Sequence, residues 1–182
     1  MKRALLVIDV QNEYFTGRLP VTHPAWSFNN ILRAMDAAIK YKLPMAVIQN
    51  TSLAPGSPVF RKGTPEWELH PEIESRNRDI LIEKNLPDAF TGTNLENWLK
   101  TNGIYTVAIT GYMTQNCCDT TARRAFHMGY EVEFLSDATG TLSITNDAGS
   151  VTAEELHLAI LVTQTRFGRI IKTDEWIKGL RL

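Results

Sequence analysis

Six apolar runs of strand length, separated by segments of helical period, constrain this chain more than any other feature. The first, Ala4 to Val10, is interrupted only by Asp9, as expected of a strand buried on both faces of a parallel sheet. Met45–Ile48, Ile80–Ile82 running on to Lys84, Tyr105–Ile109, Val132–Leu135 and Ile170–Ile171 follow it. Between them the spacing changes. Phe28, Ile31, Leu32, Met35 and Ile39 fall on one helical face from Ser27, with Pro44 closing the segment. Leu95, Trp98 and Leu99 give a second helix ending at Gly103, and Ala122, Ala125 and Phe126 a third ending at Gly129. Ala153 to Phe167 reads as a fourth, with Leu156 and Ile160 on one line.

Such alternation predicts a three-layer α/β/α fold around a six-stranded parallel sheet. Right-handed crossovers leave few topologies, and 3-2-1-4-5-6 is the commonest order with six strands. No repeat, linker or low-complexity tract divides the chain, so residues 1–182 are expected to form a single domain. In that order strands 1 and 4 are neighbours at the switch point, beyond whose carboxyl ends open α/β sheets bind ligands. Asp9, at the end of strand 1, and Cys117, just beyond strand 4, are thereby brought together.

Composition excludes several function classes. The formal charge is -1, and Arg123-Arg124 is too short to form the basic stripe of a nucleic-acid binder. The apolar runs are too short to span a membrane. Met1 to Asp9 reads as a buried strand rather than an export signal, so a soluble, cytoplasmic protein is expected. There Cys117 and Cys118 would stay reduced, and adjacent cysteines pair only with strained geometry. No CxxC or HxxxH spacing suggests a metal, and no G-x-G-x-x-G or phosphate loop a nucleotide, so no cofactor is expected.

Three residues stand out chemically. A carboxylate ending an apolar run, Asp9, must be paired or hydrogen-bonded, because burying it alone is prohibitive; a turn cap is the competing reading. Cys117 follows Gly111–Asn116 and is expected to open a helix, where orphan N–H groups and the helix dipole lower a thiol pKa. The alternative is a small buried hydrophobe, the role that suits Cys118. Lys84 closes strand 3, a position where a lysine is ordinarily a solvated surface residue. His23, His70, His127 and His157 read as loop or helix-surface residues, and no G-x-S-x-G elbow is present, which disfavours Cys-His and Ser-His-Asp chemistry.

Taken together, these segments resemble the isochorismatase-like cysteine hydrolases, a family that includes nicotinamidases, N-carbamoylsarcosine amidase, ureidoacrylate hydrolase and streptothricin hydrolase. Leu6-Val7-Ile8-Asp9-Val10-Gln11 looks like the first-strand signature. Lys84-Asn85-Leu86-Pro87-Asp88-Ala89-Phe90 looks like the lysine segment, with Asp88 in place of a usual serine. Gly111 to Ala122 resembles G-x-x-T-x-x-C-x-x-x-T-A. The likeness runs through nearly the whole chain.

The resemblance implies a catalytic triad of Asp9, Lys84 and Cys117, with Cys117 attacking a carbonyl to give a covalent acyl-type intermediate. It implies an oxyanion hole from the N–H groups of Met113 and Cys117 and a non-proline cis peptide at Tyr112–Met113. Phe15, Phe90, Tyr112 and Asn116 lie beside these residues in sequence and are expected to line a small substrate pocket. Gln49-Asn50-Thr51-Ser52 stands where nicotinamidases carry a D-x-H metal site, which disfavours metal-dependent nicotinamide hydrolysis. The expectation is a metal-independent hydrolase of a small molecule's amide, carbamoyl or ureido C–N bond. The partners expected are that small molecule and further copies of the chain, as a dimer or tetramer, with no nucleic acid and no membrane. A catalytically silent oligomeric relative, an isochorismate-type enol-ether hydrolase and a redox sensor built on Cys117 and Cys118 are the competing readings. The Pro- and Gly-rich loop Thr51–Pro71, with Trp67, Glu68 and His70, is expected to act as a lid or an interface element.

Overall fold

The computed structural model describes residues 2–180. Its main sheet contains β1 (Arg3–Ile8), β2 (Met45–Asn50), β3 (Ile80–Lys84), β4 (Thr106–Tyr112), β5 (Glu131–Gly140) and β8 (Arg169–Ile171). All neighbours are parallel and the order is β3-β2-β1-β4-β5-β8, the order expected from the alternation of strand and helix. The sixth strand of the sheet is the eighth in the chain because a hairpin, β6 (Ile144–Asn146) with β7 (Gly149–Val151), intervenes outside it. These three-residue strands carry no apolar run, so hydrophobic patterning gives no sign of them.

Helices cover both faces. On one, α1 (Ser27–Lys40) and α6 (Thr173–Gly179) bury Ile31, Ala34, Met35 and Trp176 against Leu5, Val7, Val47 and Ala108. On the other, α3 (Leu95–Thr101) and α4 (Asp119–His127) bury Leu95, Leu99, Ala122 and Ala125 against Leu6, Ile8, Ala46 and Ile48. Alternate residues of β1 thus serve opposite cores, and each large side chain so buried contributes about 1.5–3 kcal/mol. The short α2 (Pro71–Glu74) follows the long loop and is capped by His70, whose Nδ1 accepts from the Glu72 N–H at 3.2 Å. Among the described residues no helix is long and apolar enough to cross a membrane.

Several local expectations need correction. Ile39 is partly exposed on α1, where Ala34 and Ala38 take the buried positions beside Ile31 and Met35. In α5 (Ala153–Gln164) the buried residues are Ala153, His157 and Gln164, while Leu156 and Ile160 are half-buried. His157 is therefore interior, not a surface residue. Gly111 belongs to β4 rather than to the turn after it. It lies directly beside Ile8 of β1 at a φ of 118°, and a Cβ there would come within 2.0 Å of the Ile8 carbonyl oxygen. Only glycine permits that approach, which brings the carboxyl ends of the two central strands together immediately before Asp9 and the turn bearing Cys117.

Candidate active site

Asp9 follows the last paired residue of β1 and adopts a φ of 53°, a left-handed conformation that Asp tolerates better than most residues. Its N–H donates to the Ile48 carbonyl at 2.9 Å and its carbonyl accepts from the Gln11 N–H at 2.8 Å. The kinked backbone breaks the strand's alternation, and the carboxylate is fully buried. Gln11 ties the surrounding loops together. Its Oε1 accepts from the Asn50 N–H at 2.8 Å, and its Nε2 donates to the carbonyls of Asn50 at 3.0 Å and Trp67 at 2.7 Å.

Lys84, at the end of β3, stands beside Asn50 in the parallel register. Its side chain shares a sheet face with Ile82 and is 1% exposed, far from the solvated residue that its type suggests. Nζ lies 2.8 Å from Asp9 Oδ2 and donates to Asn50 Oδ1 at 3.1 Å, the Leu86 carbonyl at 3.0 Å and Cys117 Sγ at 3.3 Å. The ammonium has three protons for these four acceptors. Burial alone would push Lys84 down, but the Asp9 charge beside it, together with the contact to the Cys117 sulfur, outweighs burial and holds the ammonium above its ordinary value. Burial pushes the Asp9 carboxyl up, with Lys84 pulling against it. Neither Asp9 oxygen meets hydrogen-bond geometry with a partner, so the Lys84 contact is an ion pair rather than an aligned hydrogen bond.

Cys117 lies in a π-helical turn, Thr114–Cys118, that runs directly into α4. The turn starts three residues before the cysteine, so Cys117 does not open the helix as expected. It is also 4% exposed, and burial pushes its thiol well above the ordinary range, with Asp9 adding to the rise and Lys84 opposing it. Desolvation thus opposes the helix-terminus effect expected from sequence and disfavours the thiolate. Cys118 is fully buried in the core on the same face, and both cysteines are free.

The turn is anchored from behind. His157 Nε2 lies 2.9 Å from the Ser136 carbonyl, which only accepts, so this nitrogen carries the proton. Nδ1 then accepts from Thr114 Oγ1 at 2.9 Å, and burial lowers the His157 pKa, favouring the neutral ring. The peptide Tyr112–Met113, which enters the turn, is cis.

A cleft of about 650 Å³ opens above Cys117, walled by residues from the 50–60 and 85–92 segments and by Asn116. Asn116 is the expected lining residue that the structure places there. Phe15, Phe90 and Tyr112 are not among the described residues lining it. Phe15 packs on Phe28, His70 and Tyr112; Phe90 stacks on Tyr130; and the Tyr112 hydroxyl meets Ser27 Oγ at 3.2 Å in the core. Each is an aromatic claimed by packing on its own side of the sheet. The far half of the long loop is pinned to the chain after β1, with Asn12 N–H donating to the Glu68 carbonyl and His70 N–H to the Val10 carbonyl, both at 2.9 Å. Asn50 and the pair Thr114–His157 escaped sequence reading. A polar residue at the carboxyl end of β2, the kind of position that drew notice to Asp9, was the available signal for Asn50. Among the described residues no group of three His, Cys, Asp or Glu side chains is placed to hold a metal.

Residues 3–175 match the family model for the isochorismatase domain. The chain belongs to the isochorismatase family. It is 33% identical to nicotinamidase 3 of Arabidopsis thaliana, over 97% of this chain and 88% of that protein. It is 32% identical to streptothricin hydrolase of Streptomyces noursei, over 78% of this chain and 51% of that one. A crystal structure of a provisionally described isochorismatase from Burkholderia xenovorans LB400 superposes with a TM-score of 0.95 at 49% identity, covering 98% of this chain and 87% of the other. This isochorismatase-family hydrolase thus shares the fold of that structure.

The buried Asp9–Lys84 pair generates a prediction independent of activity. Lys84→Met strands the carboxylate and is expected to lower stability by about 3–5 kcal/mol. Adding Asp9→Asn should recover most of that loss, because no uncompensated charge is then buried. Urea unfolding of the single and double variants measures both; equal losses would contradict the coupling.

Proposed function

We propose that this protein is a metal-independent cysteine hydrolase that cleaves a C–N bond of a small amide, carbamoyl or ureido compound. The observation that carries this reading is the position of Lys84 Nζ, 2.8 Å from Asp9 Oδ2 and 3.3 Å from Cys117 Sγ, beneath a cleft of substrate size. Relatives that include a nicotinamidase and a streptothricin hydrolase support it.

In this mechanism the resting thiol, held protonated by burial, needs a base in contact with it. Asp9 takes the Sγ proton while Lys84 stabilises the negative charge on either partner. Sulfur attacks the carbonyl carbon, and the N–H groups of Met113 and Cys117 receive the oxyanion of the tetrahedral intermediate. Asp9 returns its proton to the nitrogen as the C–N bond breaks, releasing the amine or ammonia and leaving an acyl- or carbamoyl-cysteine. Water, deprotonated by Asp9, then attacks this thioester carbonyl. Sulfur leaves and recovers a proton, and the acid or carbamate departs.

Cys117→Ala should lower ammonia release from a hydrolysed amide or ureide by at least ~10³-fold. In the parent protein iodoacetamide should label Cys117 before the more deeply buried Cys118. Activity surviving the substitution would sink the assignment of Cys117 as nucleophile. The pH profile follows from Asp9. Its carboxyl is raised by burial, so the basic form is lost on acidification earlier than for an ordinary aspartate. The acid limb of kcat/KM should therefore lie above pH ~4.

The same reading takes the protein as a homo-oligomer, a dimer or tetramer. Leu158 and Val162 lie one turn apart on α5, 59% and 62% exposed, and a second copy of the chain would cover them. Sedimentation should give a mass of two or four chains, reduced by Leu158→Glu; a monomer in the parent protein would refute this.

A further inference from the structure

We infer that the cleft above Cys117 selects an uncharged amide or ureide and discriminates against substrates carrying a free carboxylate. This rests on the hydrolytic reading above and adds the substrate's charge to it. The described side chains lining the cleft are uncharged: amides and hydroxyls, such as Asn116 and Thr91, alternate with apolar groups, such as Leu53, Val59 and Phe60.

The cation beneath them is already saturated. Lys84 Nζ faces Asp9, Asn50, the Leu86 carbonyl and Cys117, four acceptors for three protons. With Asp9 it forms a pair of no net charge, so an entering anion finds no uncompensated positive charge at the floor. The adjoining carboxylates act against an anion. Asp9 has both oxygens buried without a hydrogen-bond partner. Asp88, on the segment that supplies the wall, keeps Oδ1 on the N–H groups of Phe90 and Thr91, each at 2.8 Å.

A carboxylate entering this cleft would lose hydration and meet only neutral amide and hydroxyl donors, with no cation on the walls to offset its charge. A neutral amide meets the opposite situation. Its N–H and C=O groups match the neutral amide and hydroxyl side chains of the wall, such as Asn116 and Thr91. Apolar substituents on the same molecule match Leu53, Val59 and Phe60. The substrate class is therefore a small neutral amide or monosubstituted urea with an apolar or hydroxylated remainder.

Two matched pairs test this, each exchanging a terminal methyl for a carboxylate: butyramide against succinamate, and N-propylurea against N-carbamoyl-β-alanine. Ammonia release should give a kcat/KM for the neutral member at least ~10-fold above its anionic partner. Leu53→Arg, which places a cation on an exposed stretch of the cleft wall, should shift that ratio toward the anion by ~10-fold. Equal or reversed ratios in the parent protein would overturn the inference while leaving hydrolysis standing. If neither pair is turned over, protection of Cys117 from iodoacetamide decides: slower alkylation with the neutral members alone supports the inference. Protection by the anions, or by neither class, overturns it.

Discussion

An ammonium and a carboxylate, both removed from water and 2.8 Å apart, set the terms for the rest of this structure. Isolated, either charge would be too costly to bury; together, with the Asn50 amide and the Leu86 carbonyl completing the lysine's shell, they are tolerated. The fold must then hold three chain segments in register, because Asp9, Lys84 and Cys117 come from the ends of β1, β3 and the turn after β4. Parallel order supplies that register. β2 lies between β1 and β3, so Asn50 and Gln11 become natural struts between the acid and the base.

The cysteine is controlled by burial more than by helix geometry. A thiol exposed at a helix N-terminus would be partly ionised and open to oxidation. Cys117 instead sits inside a π-helical turn, shielded, with burial disfavouring its thiolate, and in contact with Lys84. In the proposed mechanism its reactivity is conditional on Asp9, which would separate a nucleophile used on demand from a standing thiolate. Behind the turn, Thr114 and the neutral His157 fasten it to α5 and to the Ser136 carbonyl, so the element carrying the sulfur is braced from the side opposite the cleft.

Much of this was legible in the residues. The alternation of runs such as Ala4–Val10 and Met45–Ile48 with helical periods specifies parallel strands, because only crossover helices connect them. The switch-point rule then brings Asp9 and Cys117 together. Lys84 could be singled out by resemblance alone, since its charge argues for solvent until the strand that carries it is known to be buried. The aromatics Phe15, Phe90 and Tyr112 do not line the cleft, because proximity in sequence to Asp9, Lys84 or Cys117 does not decide which side of a strand a ring occupies. Phe15 and Tyr112 went to one core, Phe90 to the other.

The sequence by itself determined the layers, the strand order and the meeting of strands 1 and 4, because apolar periodicity and chain chirality act locally and leave few global solutions. Only the tertiary structure decided the burial of Cys117, the partners of Lys84, the interior place of His157 and the uncharged walls of the cleft. Each of these depends on desolvation and on contacts between residues far apart in the chain. Lys84 and Cys117, 33 positions apart, show the difference: neither announces the other, and the fold places them 3.3 Å from each other.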